Sequence, residues 1–551
     1  MLTNDLDRLP PEVRSALTGP GSPFELTRED VRGVTMTVFA HRPPHLPALL
    51  LAAAVHHADR PYLVFPDRQL TYRETVGEVQ ALAAALRTVH GVRRGDRVAV
   101  VGPNSLEYAL TLWAVTWLGA VSVSLNGWWT GTEMRHGLAL AEPRLLIGDE
   151  RQLARLEGPG VPALTFAELF ASIGPGSPGD PVDPDLVEDD PVSILFTSGT
   201  TGRPKGAVIT HRGLVNFAQD AQLRGTAEAI LSGAATPPPA PPVALVVSPF
   251  FHISGLGPLL AGAPHNGMTM VFPPRGRWDP QLHLELTGRY GVTQWSGVPT
   301  QLIRLLRLVD GPDGGRYDVS TVRTIGMGGA PITAELAALL GSVIPGARPA
   351  QGFGMSETCG QGTTIAGARM VAHPQSIGLA TPTSEVQLRS PDGSETPEGE
   401  VGEIYIRSPS AFLGYWNDPA ATAAVLSRDG WYRTGDFGRI VDGMLQLESR
   451  LRDLIIRGGE NIYPIEIENR LSEHPDLLDA AVIGVPHDEL GQEVLAVVVA
   501  RPGVTQADVR EWAGRTLAPF KVPTHVRFVD ALPYSATGKL LKRELEKQIA
   551  G

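Results

Sequence analysis

A stretch rich in glycine and hydroxyl side chains, LFTSGTTGRPKGAVITH from Leu195 to His211, carries the clearest chemical signal of the sequence. Its glycines, which allow sharp turns and leave backbone N–H groups open to oxygen ligands, are Gly199, Gly202 and Gly206. Its hydroxyl donors are Thr197, Ser198, Thr200 and Thr201, and its cations are Arg203 and Lys205. Donors and positive charge together favour an anion with many oxygens. The stretch therefore predicts a loop that binds a polyphosphate.

This loop differs from the phosphate loop of common kinases and ATPases. That loop ends in Gly-Lys-Ser/Thr, whereas here Pro204 precedes Lys205. The apolar runs on either side, VSILF and GAVIT, predict strands that hold the loop. A flexible surface turn, the ordinary interpretation of such a composition, does not account for these flanking strands.

Four further motifs follow along the chain: QGFGMSE at 351–357, YRTGD at 432–436, GGENIYP at 458–464 and SATGK at 535–539. Together with the loop, and in the same order, they resemble the adenylate-forming superfamily of acyl-CoA synthetases, luciferases and the adenylation domains of peptide synthetases. The resemblance extends over nearly the whole chain. It implies an enzyme that uses ATP and Mg²⁺ to activate a carboxylic acid.

The resemblance implies a role for each polar or aromatic residue of QGFGMSE. Phe353 would stack on adenine, and Gln351 would meet the adenine amino group. Ser356 would approach the α-phosphate, and Glu357 would hold Mg²⁺, which binds carboxylate and phosphate oxygens. Superfamily members more often carry tyrosine and threonine at the positions of Phe353 and Ser356, so stacking and a hydroxyl remain while a phenol contact is lost. Taken alone, Glu357 could equally be a solvated loop residue.

The ribose and the phosphates have further expected partners. Asp436 would accept the two ribose hydroxyls, and Arg450 would touch ribose or phosphate oxygens. The implied ATP-binding residues are Thr197, Ser198, Gly199, Thr200, Thr201, Gly202, Lys205, Gly329, Ala330, Pro331, Gln351, Gly352, Phe353, Gly354, Ser356, Asp436, Arg450 and Lys539. The implied catalytic residues are Lys539, Glu357 and Thr197, with Glu357 as the metal ligand.

The C-terminal motifs imply two half-reactions. Lys539 would bridge the attacking carboxylate and the α-phosphate, because an ammonium offsets the charge that builds when two anions meet. Lys542, Arg543 and Lys547 are expected to be solvated. The superfamily then rotates its small domain about a hinge, here Arg452, to form a thioester. The coenzyme A tunnel would be lined by His252, Gly458, Gly459, Glu460 and Asn461.

The segment SPFFHISG from Ser248 to Gly255 bears on the substrate. Amino-acid-activating members place an aspartate where this chain has His252, and an unpaired buried ammonium would be costly, so α-amino acids are disfavoured. A fatty or aromatic acid is favoured. The expected acyl pocket consists of Phe250, His252, Ser254, Gly255, Gly297, Gly326 and Met327.

Coenzyme A is the expected acceptor. A carrier protein, an amine or nitrite is the alternative, and an ATP-binding regulator without turnover is a third hypothesis, against which Lys539, Asp436 and Glu357 argue.

Composition limits the other functions. The chain has 551 residues and a net charge of −12, which indicates more than one domain and no general binding of nucleic acid. Cys359 is the only cysteine, so internal disulfides are excluded. The N-terminal sequence lacks the pattern of a signal peptide, and we expect a cytoplasmic protein, with a homodimer as a further expectation.

The elements that must position these residues follow an α/β pattern. Apolar runs predict strands at Val98–Val101, Val121–Leu125, Leu145–Ile147, Ser193–Phe196 and Val243–Val247, and a helix is predicted at Tyr72–Leu86. Gly119 divides the long apolar run from Tyr108 to Leu125 into a helix and a strand, so a membrane span is not expected. We expect a large domain over 1–449, with layered, mostly parallel sheets and a β-rich subdomain. A small, mobile α+β domain is expected over 450–551.

Overall fold

A computed structural model describes residues 1–156, 158–174, 179–198, 204–233, 240–327, 334–450, 453–457, 460–487, 490–534 and 540–550. The strands up to the middle of the chain are β1 (Leu26–Val31), β2 (Val34–Phe39), β3 (Pro61–Val64), β4 (Gln69–Thr71), β5 (Arg97–Val101), β6 (Val121–Ser124), β7 (Leu145–Gly148), β8 (Ala163–Thr165), β9 (Pro191–Ser198), β10 (Pro204–Thr210), β11 (Val243–Leu245), β12 (Thr269–Val271) and β13 (Gln294–Gly297). The later strands are β14 (Thr324–Met327), β15 (Arg348–Phe353), β16 (Thr363–Ala366), β17 (Ser376–Ala380), β18 (Glu385–Arg389), β19 (Gly402–Arg407), β20 (Tyr432–Val441), β21 (Met444–Arg450), β22 (Ile455–Arg457), β23 (Glu460–Ile462), β24 (Leu477–His487), β25 (Gly491–Ala500) and β26 (His525–Phe528).

The helices alternate with these strands. The first nine are α1 (Pro11–Thr18), α2 (Leu46–His56), α3 (Tyr72–Thr88), α4 (Leu106–Trp117), α5 (Gly131–Ala141), α6 (Glu150–Leu153), α7 (Phe166–Ala171), α8 (His211–Leu231) and α9 (Ile253–Gly257). The others are α10 (Ala263–Asn266), α11 (Pro280–Tyr290), α12 (Pro299–Asp310), α13 (Ala334–Val343), α14 (Gly367–Ala372), α15 (Pro419–Val425), α16 (Pro464–Ser472), α17 (Gln506–Gly514) and α18 (Lys542–Ala550). A π-helical turn, Pro258–Gly262, joins α9 to α10.

The first large sheet has the order β10-β9-β6-β5-β7-β8. Its strands are parallel except for β10, which returns antiparallel to β9. The apolar runs identified in the sequence form β5, β6, β7 and β9, each fully or largely buried, as expected for strands covered on both faces. The predicted polyphosphate loop connects β9 and β10 at one edge of this sheet.

The long apolar run folds as helix, turn and strand, as the glycine in it predicts. Helix α4 ends at Trp117, Gly119 adopts a left-handed conformation with φ +64°, and β6 begins at Val121. A left-handed residue stops the helix at little steric cost only when it lacks a Cβ. Within the part of the chain that the structure describes, no helix combines the length and the apolar character needed to cross a bilayer.

The second large sheet is mixed, with the order β18-β19-β20-β21-β17-β16-β15-β14-β13-β11-β12-β3-β4. Strands β3 and β11 to β15 pair in parallel, while β15 to β21 pair antiparallel. The predicted β-rich region therefore forms one end of this sheet. Large buried rings lie in the core between the two sheets, among them Trp113, Trp117 and the stacked pair Tyr62 and Tyr72, whose centroids are 4.5 Å apart.

The C-terminal part is a small α+β domain with its own sheet. Strands β23-β22-β25-β24 pair antiparallel in that order, and β26 joins β25 in parallel. Helix α16 packs its apolar side, with Ile467 and Leu471, onto the sheet residues Val482 and Val494. A separate core of this kind allows the domain to fold as its own unit.

Candidate active site

The predicted polyphosphate loop spans the turn between β9 and β10. Register places Lys205 opposite Thr197 and Pro204 opposite Ser198, so the backbone ladder fixes both ends of the loop. Thr197 and Lys205 are half-buried and line a large cleft. The loop residues Gly199, Thr200, Thr201, Gly202 and Arg203 lie outside the described residues.

The predicted adenine side is strand β15 and the turn after it. Strand β14 pairs with β15 so that Met327 lies opposite Gln351, and both line the cleft. The Gln351 side chain is buried, and its Oε1 accepts no hydrogen bond from the described residues. Phe353 is half-buried at the strand end, beside the exposed Gly352. A buried amide oxygen without a partner fits an adenine amino donor.

The turn that follows depends on Gly354. A Cβ on this residue would lie 2.4 Å from the carbonyl carbon of Gly360, a distance that no side chain tolerates. The turn ends at Cys359, which is buried with φ +51°. Burial raises the pKa of the Cys359 thiol to about 12, so it stays protonated. Gly329, Ala330 and Pro331, predicted on the other side of adenine, lie outside the described residues.

Glu357 is the buried carboxylate of the site. Thr197 Oγ1 donates a hydrogen bond to Glu357 Oε1 over 3.1 Å, and the Tyr415 hydroxyl donates to the same oxygen over 2.9 Å. Ser356, also buried, precedes it. The structure thus joins the phosphate-loop strand and the QGFGMSE motif directly. Both of these donors are neutral hydroxyl groups, and they orient the carboxylate.

Tyr415 was not among the residues predicted from the sequence. Its ring lies under Lys205, with Nζ 5.0 Å from the ring centroid, which is cation–π distance. Burial and the nearby Glu357 carboxylate raise the pKa values of the hydroxyls of both Tyr415 and Tyr432. Both phenols therefore remain donors at neutral pH. The run GYW at 414–416 was the available signal, but it reads as an ordinary turn between strands.

Asp436 lies on β20, buried and facing the cleft. Its backbone pairs with that of Arg450 on β21, so the two predicted ribose partners are neighbours in register. Thr434 Oγ1 accepts the Asp436 N–H over 3.0 Å and donates to the Ile404 carbonyl over 2.8 Å. Gly435, at φ +73°, makes the bend. Thr197, Lys205, Gln351, Glu357 and Asp436 together form the nucleotide wall of the cleft.

A second group of lining residues consists of His252, Ser254, Gly297, Gly326 and Met327. We call it the acyl wall, after the acyl pocket predicted from the sequence. Gly297 and Met327 end the parallel strands β13 and β14, where open α/β sheets bind ligands. His252 caps α9, and its Nδ1 lies 2.8 Å from Ser254 Oγ.

Two residues expected in the acyl pocket lie elsewhere. Phe250 has no exposed surface, and its ring packs edge-on against that of Tyr108, with the centroids 5.6 Å apart. The Asn104 side chain fixes the backbone of the turn here, since it donates to the Ser248 carbonyl and accepts from the Phe250 N–H. Gly255 is buried against the same turn, since a Cβ there would lie 2.2 Å from the Pro249 carbonyl oxygen. Both therefore support the wall from behind.

The small domain carries the remaining predicted residues. Four of these predicted residues lie outside the described residues: Arg452, Gly458, Gly459 and Lys539. Glu460 and Asn461 lie on strand β23. Tyr534 and Leu540, the described residues on either side of 535–539, form an isolated antiparallel β-bridge.

One neighbour of Lys539 departs from the expectation of solvation. Lys542 is largely buried, with Nζ 2.7 Å from Glu468 Oε1 and 2.9 Å from the Val482 carbonyl oxygen. Lys547 is 72% exposed, as expected.

Both walls border one open cleft with a volume of about 3490 Å³. The lining includes the hairpin residues Thr197 and Lys205, the end of strand β15, and the buried carboxylates Glu357 and Asp436, together with the small residues of the acyl wall. The fold and this arrangement define an ATP-dependent enzyme of the adenylate-forming class.

The chain belongs to the family of AMP-binding enzymes. The family model matches residues 50–416, and the model of the AMP-binding enzyme C-terminal domain matches residues 466–539.

The alignments with similar proteins extend over most of the chain. It is 36% identical over 489 residues to a feruloyl-CoA synthase of an Amycolatopsis species, covering 87% of this chain and 94% of that protein. It is 33% identical over 512 residues to a fatty acid–[acyl-carrier-protein] ligase of Streptomyces coeruleorubidus, covering 90% and 95%. Among solved structures, o-succinylbenzoate coenzyme A synthetase from Bacillus subtilis, in complex with ATP and a magnesium ion, superposes with a TM-score of 0.77 at 28% identity, covering 92% and 100%.

Proposed function

We propose that this AMP-forming acid–thiol ligase activates an aromatic carboxylic acid as its acyl-adenylate and then transfers the acyl group to coenzyme A. The observation that carries the proposal is the hydrogen-bonded group of Thr197, Glu357 and Tyr415, which joins the phosphate hairpin to the adenine turn in the same cleft that the acyl wall lines. Gln351 and Asp436 line the same cleft as this group.

In the first half-reaction, a carboxylate oxygen of the acid forms a bond to the α-phosphorus of ATP. The bond between that phosphorus and the bridging oxygen breaks, and pyrophosphate leaves. Thr197 and Lys205 hold the leaving phosphates, while Gln351 accepts from the adenine amino group. Asp436 accepts from the ribose hydroxyls, because an ionised carboxylate offers several acceptor sites.

The residues present fit a magnesium ion. Mg²⁺ prefers oxygen ligands and is often held by one or two carboxylates together with substrate phosphates. Within the described ranges, no group of three or more His, Cys, Asp or Glu side chains could hold a metal, so Glu357 would be joined by phosphate oxygens and water. When bound, the ion would neutralise charge on the phosphates. Thr197 and Tyr415 orient the Glu357 carboxylate for it.

In the second half-reaction, the thiol sulfur of coenzyme A forms a bond to the acyl carbonyl carbon. The bond between that carbon and the phosphate oxygen breaks, AMP leaves with the electron pair, and the thiol proton is released to water. We propose that the small domain, from residue 450 onward, turns about Arg452 between the half-reactions. Lys539 serves the first arrangement, and Gly458, Gly459, Glu460 and Asn461 line the thiol path in the second. His252, at the cleft surface of the acyl wall, supports a path that ends beside the acyl group.

The role of Lys539 can be tested by separating the half-reactions. Lys539→Ala should lower acid-dependent ATP–pyrophosphate exchange by roughly 10²- to 10³-fold, the usual loss when a charge-stabilising donor is removed. Thiolation of a supplied acyl-adenylate should be spared. Lys547→Ala, which removes an exposed lysine near the same terminus, is the matched control and should keep the normal rate. Normal exchange in Lys539→Ala would remove the lysine from the mechanism.

The similarity to a feruloyl-CoA synthase supports an aromatic acid, and the presence of the small residues Gly297 and Gly326 in the cleft lining is consistent with it. The similarity to a fatty acid–carrier-protein ligase favours one alternative, transfer of a fatty acyl group to a carrier protein. Exchange assays with hydroxycinnamic, benzoic, short-chain and fatty acids would identify the acid. AMP release with coenzyme A and with a phosphopantetheinylated carrier protein would then identify the acceptor. We place the reaction in the cytoplasm, where both ATP and coenzyme A are present.

A further inference from the structure

A tyrosine outside the predicted motifs touches both charged groups at the phosphate end of the nucleotide wall. The Tyr415 hydroxyl donates to Glu357 Oε1 over 2.9 Å, and the face of its ring lies 5.0 Å from Lys205 Nζ. One side chain thus contacts the carboxylate that would face the metal and the ammonium that would face the phosphates.

The backbone around Tyr415 fixes this side chain in place. The segment from Leu413 to Trp416 runs beside β10: Trp416 N–H donates to the Gly206 carbonyl over 2.7 Å, and Val208 N–H donates to the Gly414 carbonyl over 3.0 Å. The Tyr415 N–H donates to Thr422 Oγ1 over 2.8 Å. Tyr415 is therefore held against the strand that carries Lys205.

The ring and the carboxylate share a second support. Phe412 packs edge-on against the rings of Tyr415 and Tyr432, at 5.0 and 5.5 Å. Its N–H also donates to the backbone carbonyl of Glu357 over 2.9 Å. The positions of the tyrosine and of the glutamate backbone are thus set by one neighbouring residue.

We propose that Tyr415 is a positioning residue that aims the Glu357 carboxylate at the ATP-bound metal and holds Lys205 beside the phosphates. The hydroxyl performs the first task and the ring performs the second. A neutral phenol suits the first task, because a cationic partner would compete with the metal for the carboxylate. The inference rests on the proposed function, since it concerns the same ATP site.

Two variants distinguish the role of the hydroxyl from the role of the ring. Tyr415→Phe keeps the ring and its packing but removes the hydroxyl, and Tyr415→Leu removes both. We measure ATP binding by isothermal titration calorimetry with Mg²⁺ and again with EDTA. Tyr415→Phe should weaken binding about tenfold in Mg²⁺ and leave it unchanged in EDTA, since a hydrogen bond to a charged group is lost. Tyr415→Leu should weaken binding under both conditions.

Controls keep the result interpretable. Tyr405→Phe, on β19 outside the cleft lining, should bind like the parent. Thermal melting of each variant establishes that it is folded, and Mn²⁺ binding measured by electron paramagnetic resonance with a non-hydrolysable ATP analogue gives a second readout. Parent-like affinity of Tyr415→Phe in Mg²⁺, or an equal loss with and without the metal, overturns the positioning role. If the ATP affinity of the parent protein is the same in Mg²⁺ and in EDTA, the metal assignment of the proposed function is contradicted instead.

Discussion

The nucleotide wall and the acyl wall of the cleft differ in what holds them. On the nucleotide wall, polar side chains are set by strand register and by hydrogen bonds between distant segments, as when Lys205 lies opposite Thr197 and Thr197 reaches Glu357. On the acyl wall, glycines at strand ends leave space, and a histidine caps a short helix. The hydrogen-bonded nucleotide wall suits ATP, which is the same in every reaction. The acyl wall can change shape when a methyl group is added or removed at a glycine, which suits an acid that differs between related enzymes.

The largest expected effect concerns the ribose contact. Asp436→Ala should lower kcat/KM for ATP by about 100-fold or more with every acid, because two hydrogen bonds to an ionised acceptor contribute roughly 1.5–3 kcal/mol each. Asp436→Asn, which keeps one acceptor oxygen, should lose less. Glu400→Ala on the exposed surface is the control for loss of a carboxylate. If Asp436→Ala behaves like the control, the nucleotide wall has been placed on the wrong strand.

Gly354→Ala should damage the nucleotide wall through packing. The new methyl group would meet the backbone of Gly360 at 2.4 Å, and such overpacking costs about 1–3 kcal/mol of stability. We expect a lower thermal midpoint and a higher KM for ATP. Gly77→Ala in α3, where a Cβ has open space, should lower neither the midpoint nor the activity. An unaltered midpoint in Gly354→Ala would mean that the adenine turn is not rigid.

Some features of the cleft can be predicted from the sequence, and others cannot. Short β-branched runs predict strands well: the run Val121–Leu125 forms β6 at Val121–Ser124, and Gly119 ends the helix before it. The side on which an aromatic ring lies is not encoded locally. Phe250 and His252 are close in sequence, yet Asn104, distant in the chain, turns Phe250 into the core and leaves His252 on the cleft.

The contact of Tyr415 with Glu357 escaped prediction for the same reason. It joins residues 58 positions apart, and neither side chain alone indicates the other. Lys542 is a similar case: its ion pair with Glu468 on α16 depends on how the terminal helix packs on the small domain. Motif spacing predicts which groups meet the ligand, whereas the groups that support them depend on tertiary packing.

A smaller effect is expected at the base contact. Gln351→Leu should raise the KM for ATP about three- to tenfold, since one neutral hydrogen bond is lost. The thermal midpoint of the ligand-free protein should not fall, because the removed Oε1 has no partner among the described residues. The KM for the acid serves as the internal control and should stay constant. A change in the acid KM alone would place Gln351 on the acyl wall.

The most selective effect, limited to one class of acid, is expected on the acyl wall. A Cβ on Gly326 would have its nearest neighbour at 3.7 Å, so Gly326→Ala fits without strain. The added methyl group should lower kcat/KM for bulky aromatic acids by about tenfold, while small acids and the KM for ATP are unaffected. Exchange rates across an acid series measure this. An equal loss for all acids would show that the two walls are not independent.

The central claim is that this cleft makes an acyl-adenylate and passes the acyl group to coenzyme A. The most direct measurement incubates the protein with ATP, Mg²⁺, ferulic acid and coenzyme A and quantifies AMP, pyrophosphate and thioester in the same samples. We predict equal amounts of all three, and acid-dependent pyrophosphate exchange when coenzyme A is omitted. Formation of ADP and phosphate, or AMP release that does not depend on an acid from the panel, would contradict the account.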